Sequence, residues 1–243
     1  MTQHTVRPLS PAARGRSAAW SLVLPLKQLA RAKSRLHPYA GARRPELALA
    51  FALDTVTAAL ECPVVAQVLV VSRDPLAGAR LAALGAVLVD DEPEGPDPAE
   101  RIDPARRAGQ PTADGLNPAL AHGAAHARRL RPGAPLAALS ADLPALRPAE
   151  LARVLAAVPD GARAFLADTP GIGTTLLACA AGQPLRPAFG GASRQRHAAG
   201  GALELALTDV PSVRRDVDTA ADLAQALALG VGPHTRAVAA ALV

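Results

Sequence analysis

The sequence predicts one α/β domain built on a mixed, mainly parallel sheet with helices on both faces. Three observations predict it. Short apolar runs bounded by turn residues recur along the chain, and segments with helical apolar spacing alternate with them. The 243 residues, 50% of them hydrophobic, also suit a single domain that buries roughly 70 to 75% of its unfolded surface.

Residues 21–26 are the first apolar run, and from Glu46 onward Leu49, Leu53, Val56 and Leu60 line one helical face, giving strand, loop and helix. The β-branched run 67–72 reads as a strand, 74–84 as a helix, and 86–89 as a strand again. Residues 90–114 break the rhythm. Their prolines, carboxylates and arginines cannot supply a core face, and a mobile loop is expected. The rhythm resumes with a helix at 117–130, a strand at 135–140 and a helix opened by Pro148, a residue suited to the first helical turn. Residues 162–167 and 174–179 read as strands joined by the turn sequence DTPGIG, a small antiparallel insertion. A last strand is expected at 213–217, and Thr219 with Asp222 resembles a capping box that starts the next helix. Residues 1–18 lack the apolar middle of a secretion signal and are expected to be a disordered tail, which leaves 19–243 as the domain.

Composition narrows the function. Aromatic residues are 2% of the chain, so the core must be aliphatic and stacking platforms for single-stranded nucleic acid are lacking. The net charge of +5 is scattered, which favours small phosphorylated molecules over a polymer as partner. Only two of the 26 basic residues are lysines, Lys27 and Lys33, six apart in one segment where a compact ammonium matters. Cys62 and Cys179 have no partner spacing for a disulfide framework or a zinc site, which fits a reducing cytoplasm. No run is long enough to cross a membrane as a helix.

Asp142, in SADLP, follows an apolar strand and so falls at the edge where open α/β sheets bind ligands. Asp216 and Asp218, in RDVD, occupy the end of the last expected strand and the following turn, and the three carboxylates form a candidate magnesium site, since that cation takes carboxylate and phosphate oxygens. The alternative is that Asp218 caps a helix and Asp142 a turn. The GIGTT sequence at 171–175 offers backbone amides and hydroxyls to an anion, although a plain hairpin turn reads the same way. In FGGASRQRH, a helix starting near Ser193 would present free amides, a hydroxyl and arginines, or would simply be a capped basic helix. Lys27, Lys33 and Arg35 follow the first strand and are candidates for a triphosphate. Asn117 is a candidate for a base or ribose. His122 and His126 lie four apart without a third ligand, as surface or packing residues do. Nothing resembles a Ser/His/Asp or Cys/His nucleophile set.

Taken in order, LPLKQLARAKSRL, GLNPAL, SADLPAL, GIGTTLL, FGGASRQRH and RDVDTAADL resemble the phosphoenolpyruvate or 2-phospholactate guanylyltransferase family of coenzyme F-420 biosynthesis, across residues 20–233. The resemblance implies a GT-A-like fold similar to nucleotide-diphospho-sugar and molybdopterin nucleotidyltransferases. It places metal-binding, catalytic aspartates on Asp142 and Asp216, with Asp218 as helper or cap, and the acid-substrate site on Thr174, Gly190 and Ser193. It implies transfer of GMP from GTP to the substrate phosphate, with pyrophosphate leaving and the product passing to a downstream transferase. The Ala- and Arg-rich composition points to the bacterial branch and so to phosphoenolpyruvate, with 2-phospholactate and 3-phosphoglycerate as alternatives. A molybdopterin-type transferase and a non-catalytic nucleotide-binding subunit are the other readings. The Pro-rich stretch before Asp114 and the N-terminal tail are longer than the family pattern.

Overall fold

Six apolar runs become strands because their residues can be buried on both faces of a sheet, and a seventh strand is added at the edge. The computed structural model describes residues 19–90 and 115–242, so the expected tail and most of the expected 90–114 loop lie outside the described residues. The strands are β1 (Trp20–Pro25), β2 (Val65–Val71), β3 (Val87–Val89), β4 (Leu136–Leu139), β5 (Arg163–Ala167), β6 (Thr174–Cys179) and β7 (Leu203–Glu204). They form one sheet in the order β3-β2-β1-β4-β6-β5-β7. β1 pairs in parallel with β2 and β4, β2 with β3, and β5 with β7, while β6 runs antiparallel to β4 and β5. The expected antiparallel insertion is thus the single strand β6, reversed between neighbours.

The helices are α1 (His37–Ala40), α2 (Arg44–Leu60), α3 (Pro75–Ala83), α4 (Leu116–Leu130), α5 (Pro148–Ala156), α6 (Ser193–Ala199), α7 (Pro211–Arg214), α8 (Ala220–Leu229) and α9 (Pro233–Ala240). On one face of the sheet Leu22, Leu24, Val68 and Val70 pack with Leu49 and Leu53 of α2, Leu81 of α3 and Leu151 of α5. On the other, Val23, Leu69 and Val71 meet Ala119, Leu120, Ala124 and Ala127 of α4. Alanines alone do not bring α4 this close. A Cβ on Gly123 would lie 2.6 Å from Val23 Cγ1 and as tightly against Val71, so glycine is needed where helix meets sheet. A third cluster joins Leu47 and Phe51 of α2 to α8 and α9 through Leu223, Ala226 and Val238.

The start of α9 is fixed by a buried carboxyl group. Asp54 of α2 accepts from the backbone N–H groups of His234 (3.1 Å) and Thr235 (2.8 Å) at the start of α9. Just before them, Gly232 N–H donates to Pro144 O at 2.9 Å. A carboxylate at a helix N-terminus satisfies donors that have no partner within the helix.

Residues 213–217 are not a strand. Pro211 takes the first position of α7, which runs to Arg214, and the chain then passes as a loop to the cap of α8. The cap is Thr219, whose hydroxyl accepts from Asp222 N–H while the Asp222 carboxylate accepts from Thr219 N–H. The unforeseen strand is β7, two exposed residues on the edge. Among the described residues no helix is long and apolar enough to cross a membrane.

Candidate active site

The loop after β1 is held by its neighbours before it reaches the acids. Leu26 N–H donates to Val71 O at 2.9 Å, and Leu29 N–H to the Asp74 carboxylate at 2.9 Å. The Arg44 guanidinium caps the loop's carbonyls, donating to Ala30 O at 2.7 Å and to Ala32 O. Lys33 then adopts a left-handed backbone, φ 55° and ψ 42°, uncommon for a residue with a Cβ. That turn sends its side chain between two carboxylates. Its ammonium donates to Asp142 and, at 2.7 Å, to Asp218. Lys33 is therefore committed to the acids, whereas Lys27 lines a cleft of about 350 Å³ with Arg31 and Arg73, between this loop and the start of α4. Arg35 is largely exposed, 3.8 Å from Asp218.

Asp142 follows β4, and Asp216 and Asp218 lie between α7 and α8. Val217 N–H donates to Asp142 O at 3.1 Å, which joins the two segments that bring the three acids together. Their electrostatics differ. Burial pushes the carboxyl of Asp218 up, but Lys33, with Arg35 and Lys27 farther off, outweighs that and holds it below its ordinary value. Asp216 is not hydrogen-bonded to Lys33, whose charge only partly offsets its surroundings. Burial first, then the charges of Asp142 and Asp218, raise its carboxyl from 3.8 to about 7. Lys33 is held protonated because the two carboxylates overcome the cost of its burial.

A second group of candidates lies on β6 and α6. Asp168, which the sequence reading left without a role, shapes the turn into β6: its carboxylate accepts from Ile172 N–H (2.9 Å) and Gly173 N–H (2.8 Å). It fills the space a Cβ on Gly173 would need. Thr174, first in β6, is buried, and its hydroxyl meets His197 Nδ1 at 3.0 Å. α6 does begin at Ser193, but the N–H groups of Ser193 and Arg194 already donate to Gly191 O and Ile172 O. Ser193 is buried. Gly190 sits at φ 96°, and its carbonyl accepts from Arg196. Asn117 ties this loop in place: its amide donates to Phe189 O (3.1 Å) and accepts from Phe189 N–H (2.8 Å), so both ends are spent on backbone. His126 contacts Arg129 on the surface of α4.

The arrangement pairs a basic cleft with a carboxylate cluster in which Asp216 is the member not hydrogen-bonded to Lys33. Such a site suits positioning of anionic phosphates more than nucleophilic attack by the protein.

No family model matches the chain. Individual proteins do. A Streptomyces coelicolor protein named phosphoenolpyruvate guanylyltransferase is 61% identical over 224 residues, 92% of this chain and 97% of its own length. A Thermomonospora curvata protein of the same name is 58% identical over 221 residues, 91% of this chain and 89% of its own. A Salinispora arenicola protein so named is 50% identical over 220 residues. Among solved structures, a Methanothermobacter nucleotidyl transferase superposes with a TM-score of 0.54 at 18% identity, over 85% of this chain and 95% of its own. A Desulfovibrio desulfuricans protein of nucleotide-diphospho-sugar transferase type gives 0.52 at 14% identity, over 86% and 96%. These two likenesses bear on the fold, a mixed sheet of the nucleotidyltransferase type.

Proposed function

The chain belongs to the phosphoenolpyruvate guanylyltransferase family, and from that premise we propose that it joins the guanylyl group of GTP to phosphoenolpyruvate at the Asp142–Asp216–Asp218 cluster. The product is enolpyruvoyl-2-diphospho-5'-guanosine, with pyrophosphate released, and a downstream transferase of coenzyme F-420 biosynthesis takes it up. The two cysteines are free and buried, which fits work in a reducing cytoplasm.

The observation that carries the reading is Asp216: a part-buried carboxylate beside two others, with no hydrogen-bonded partner among the described residues and its proton retained to about pH 7. Such a group calls for a cation. The donor set fits magnesium, which binds through one or two carboxylates and takes its other ligands from phosphates and water. Asp142 and Asp216 would hold it, with Asp218 alongside. Among the described residues no three His, Cys, Asp or Glu side chains are placed to hold a metal ion together, so one or two of these carboxylates would bind it and substrate oxygens and water would complete the coordination. Bound there, magnesium supplies neutralisation of charge on the reacting phosphoryl oxygens.

The chain's own residues do the rest. Lys27, Arg31 and Arg73 gather the triphosphate in the cleft, and Lys33 keeps Asp218 ionised and holds it close to Asp142. Thr174, Gly190 and Ser193 orient the acid. A phosphate oxygen of phosphoenolpyruvate attacks the α-phosphorus of GTP in line as the bond to the β-phosphate oxygen breaks. No covalent enzyme intermediate is needed, because holding two reactants in line contributes on the order of 7 to 11 kcal/mol. The test is a mass-spectrometric end-point assay with GTP, magnesium and, in parallel, phosphoenolpyruvate, 2-phospholactate or 3-phosphoglycerate, with a downstream transferase as trap. A GMP adduct of phosphoenolpyruvate with pyrophosphate is expected. No adduct with any acid, from protein that still binds GTP, would overturn the reaction, and an adduct with another acid alone would overturn the substrate.

A further inference from the structure

The buried imidazole of His197 touches two parts of the acid-binding region at once. It lies on α6 four residues after Ser193, and is 1% exposed. Ala188 N–H donates to its Nε2 at 3.0 Å. A backbone N–H can only donate, so Nε2 must be the bare nitrogen, and the ring proton of the neutral imidazole is on Nδ1. Nδ1 in turn faces Thr174 Oγ1 at 3.0 Å, so Nδ1–H donates and the threonine oxygen accepts. The ring cannot flip out of this register. Phe189 packs against it edge-on, centroids 5.0 Å apart, and Phe165 lies at 5.8 Å. Burial and the nearby guanidinium groups of Arg196 and Arg163 keep it uncharged down to about pH 4.

The consequence falls on Thr174. Its hydroxyl oxygen is occupied as an acceptor, and its own proton has no acceptor among the described residues. A threonine left to itself can point its O–H either way; here the ring fills one lone pair and turns the O–H away from it, available to donate. The same imidazole ties down Ala188, whose carbonyl and that of Gly190 accept from Arg196. One ring thereby sets the polarity of Thr174 and the position of the loop leading to Gly190 and Ser193.

We propose that His197 is a positioning residue that holds the Thr174 hydroxyl as a hydrogen-bond donor toward a carboxylate or phosphate oxygen of the acid substrate. This rests on the reading that Thr174 contacts that acid. His197 itself touches no reacting atom.

Three variants separate its two contacts. His197→Asn retains a donor on the Nδ1 side, His197→Gln retains an acceptor on the Nε2 side, and Thr174→Val removes the group being oriented. Initial rates of pyrophosphate release with magnesium, varying one substrate at a time, give KM for phosphoenolpyruvate and for GTP. His197→Gln is expected to raise KM for phosphoenolpyruvate about tenfold, the loss of one hydrogen bond, with KM for GTP nearly unchanged; His197→Asn should recover most of that loss. An equal rise for both substrates, or no rise, would overturn the proposal. If Thr174→Val leaves KM for phosphoenolpyruvate unchanged, the underlying reading fails and the proposal with it. If Thr174→Val raises it and His197→Gln does not, only the proposal fails. Independently of any variant's folding, ¹⁵N-resolved NMR of the imidazole in the unaltered protein is expected to show Nδ1 protonated and Nε2 bare, and the opposite tautomer would overturn the assignment.

Discussion

Replacing Asp216 by Asn is expected to stabilise the protein while removing its activity. The folded-state carboxyl is raised from 3.8 to about 7, first by burial and then by Asp142 and Asp218. In the unfolded chain it ionises near its ordinary value. Between about pH 4 and pH 7 the folded protein therefore holds a proton that the unfolded chain has released, so this group makes stability fall as pH rises, and the loss is complete above pH 7. At 1.36 kcal/mol per pH unit the full difference is about 4 kcal/mol. Water and salt reach a part-buried cluster, and about 1 to 2 kcal/mol is expected to survive at pH 8. Asn has nearly the same shape and gives up no hydrogen bond within the described residues, so little opposes the gain. For a domain of this size each kcal/mol is about 2 to 4 °C of Tm. Thermal unfolding of both proteins without magnesium should show the variant about 2 to 8 °C more stable at pH 8, with the gap closing toward pH 4. Pyrophosphate release with magnesium should drop about 100-fold or more. A variant less stable than its parent at pH 8, or a gap independent of pH, would refute the argument from uncompensated charge.

Lys33→Met leaves Asp142 and Asp218 facing each other and Asp216 without the ammonium. Stability without magnesium at pH 8, read by urea unfolding, is expected to fall by about 1 to 3 kcal/mol, and turnover about 100-fold; unchanged turnover would mean that Lys33 does not organise the acids. Gly173→Ala drives a Cβ into the Asp168 carboxylate that accepts from Ile172 and Gly173. It should cost about 1 to 3 kcal/mol in unfolding experiments and raise KM for the acid substrate more than KM for GTP. His197 is neutral in the fold down to about pH 4 but protonates near 6.5 when unfolded. Its contribution is intact above pH 6.5 and is lost as pH falls toward 4, by at most about 3 kcal/mol. His197→Gln should flatten the acid side of the stability curve, and an unaltered slope between pH 6.5 and 4 would show that the imidazole is not buried neutral.

The strands that were legible are those whose apolar runs fill both sides of a sheet, such as 67–72, which lies within or beside β2 at Val65–Val71. The failure at 213–217 has a local cause. VRRDV reads as a short strand between two valines, but Pro211 starts a helical turn that runs to Arg214 instead. β7 left no trace because two exposed residues carry no pattern. At the site, Asp142 was legible from its place after a strand, and the ordered motifs pointed to Asp216 and Asp218. The destination of Lys33 was not: a left-handed turn after a stretch of loop separates it from Lys27, and nothing in the spacing of two lysines announces that. Asn117 looked free to read a ligand and is occupied by Phe189, a contact 72 residues away in sequence. Asp168 and His197 stood inside quoted motifs, yet a single polar residue in a turn or short helix has no periodicity to reveal which backbone groups it will meet.

The hydrogen bond from Gly232 to Pro144, together with the grip of Asp54 on the start of α9, bears on how the protein is made. The loop carrying Asp142 is braced by residues 232–235, about ninety positions later in the chain, and the other acids lie at 216 and 218. A nascent chain emerging from the ribosome can pair β1, β2 and β3 early, since their contacts are all within the first ninety residues. It cannot brace the acid cluster until residues 216–235 have been made. A chain cut before residue 216 would thus carry a partly formed sheet and lack two of the three acids.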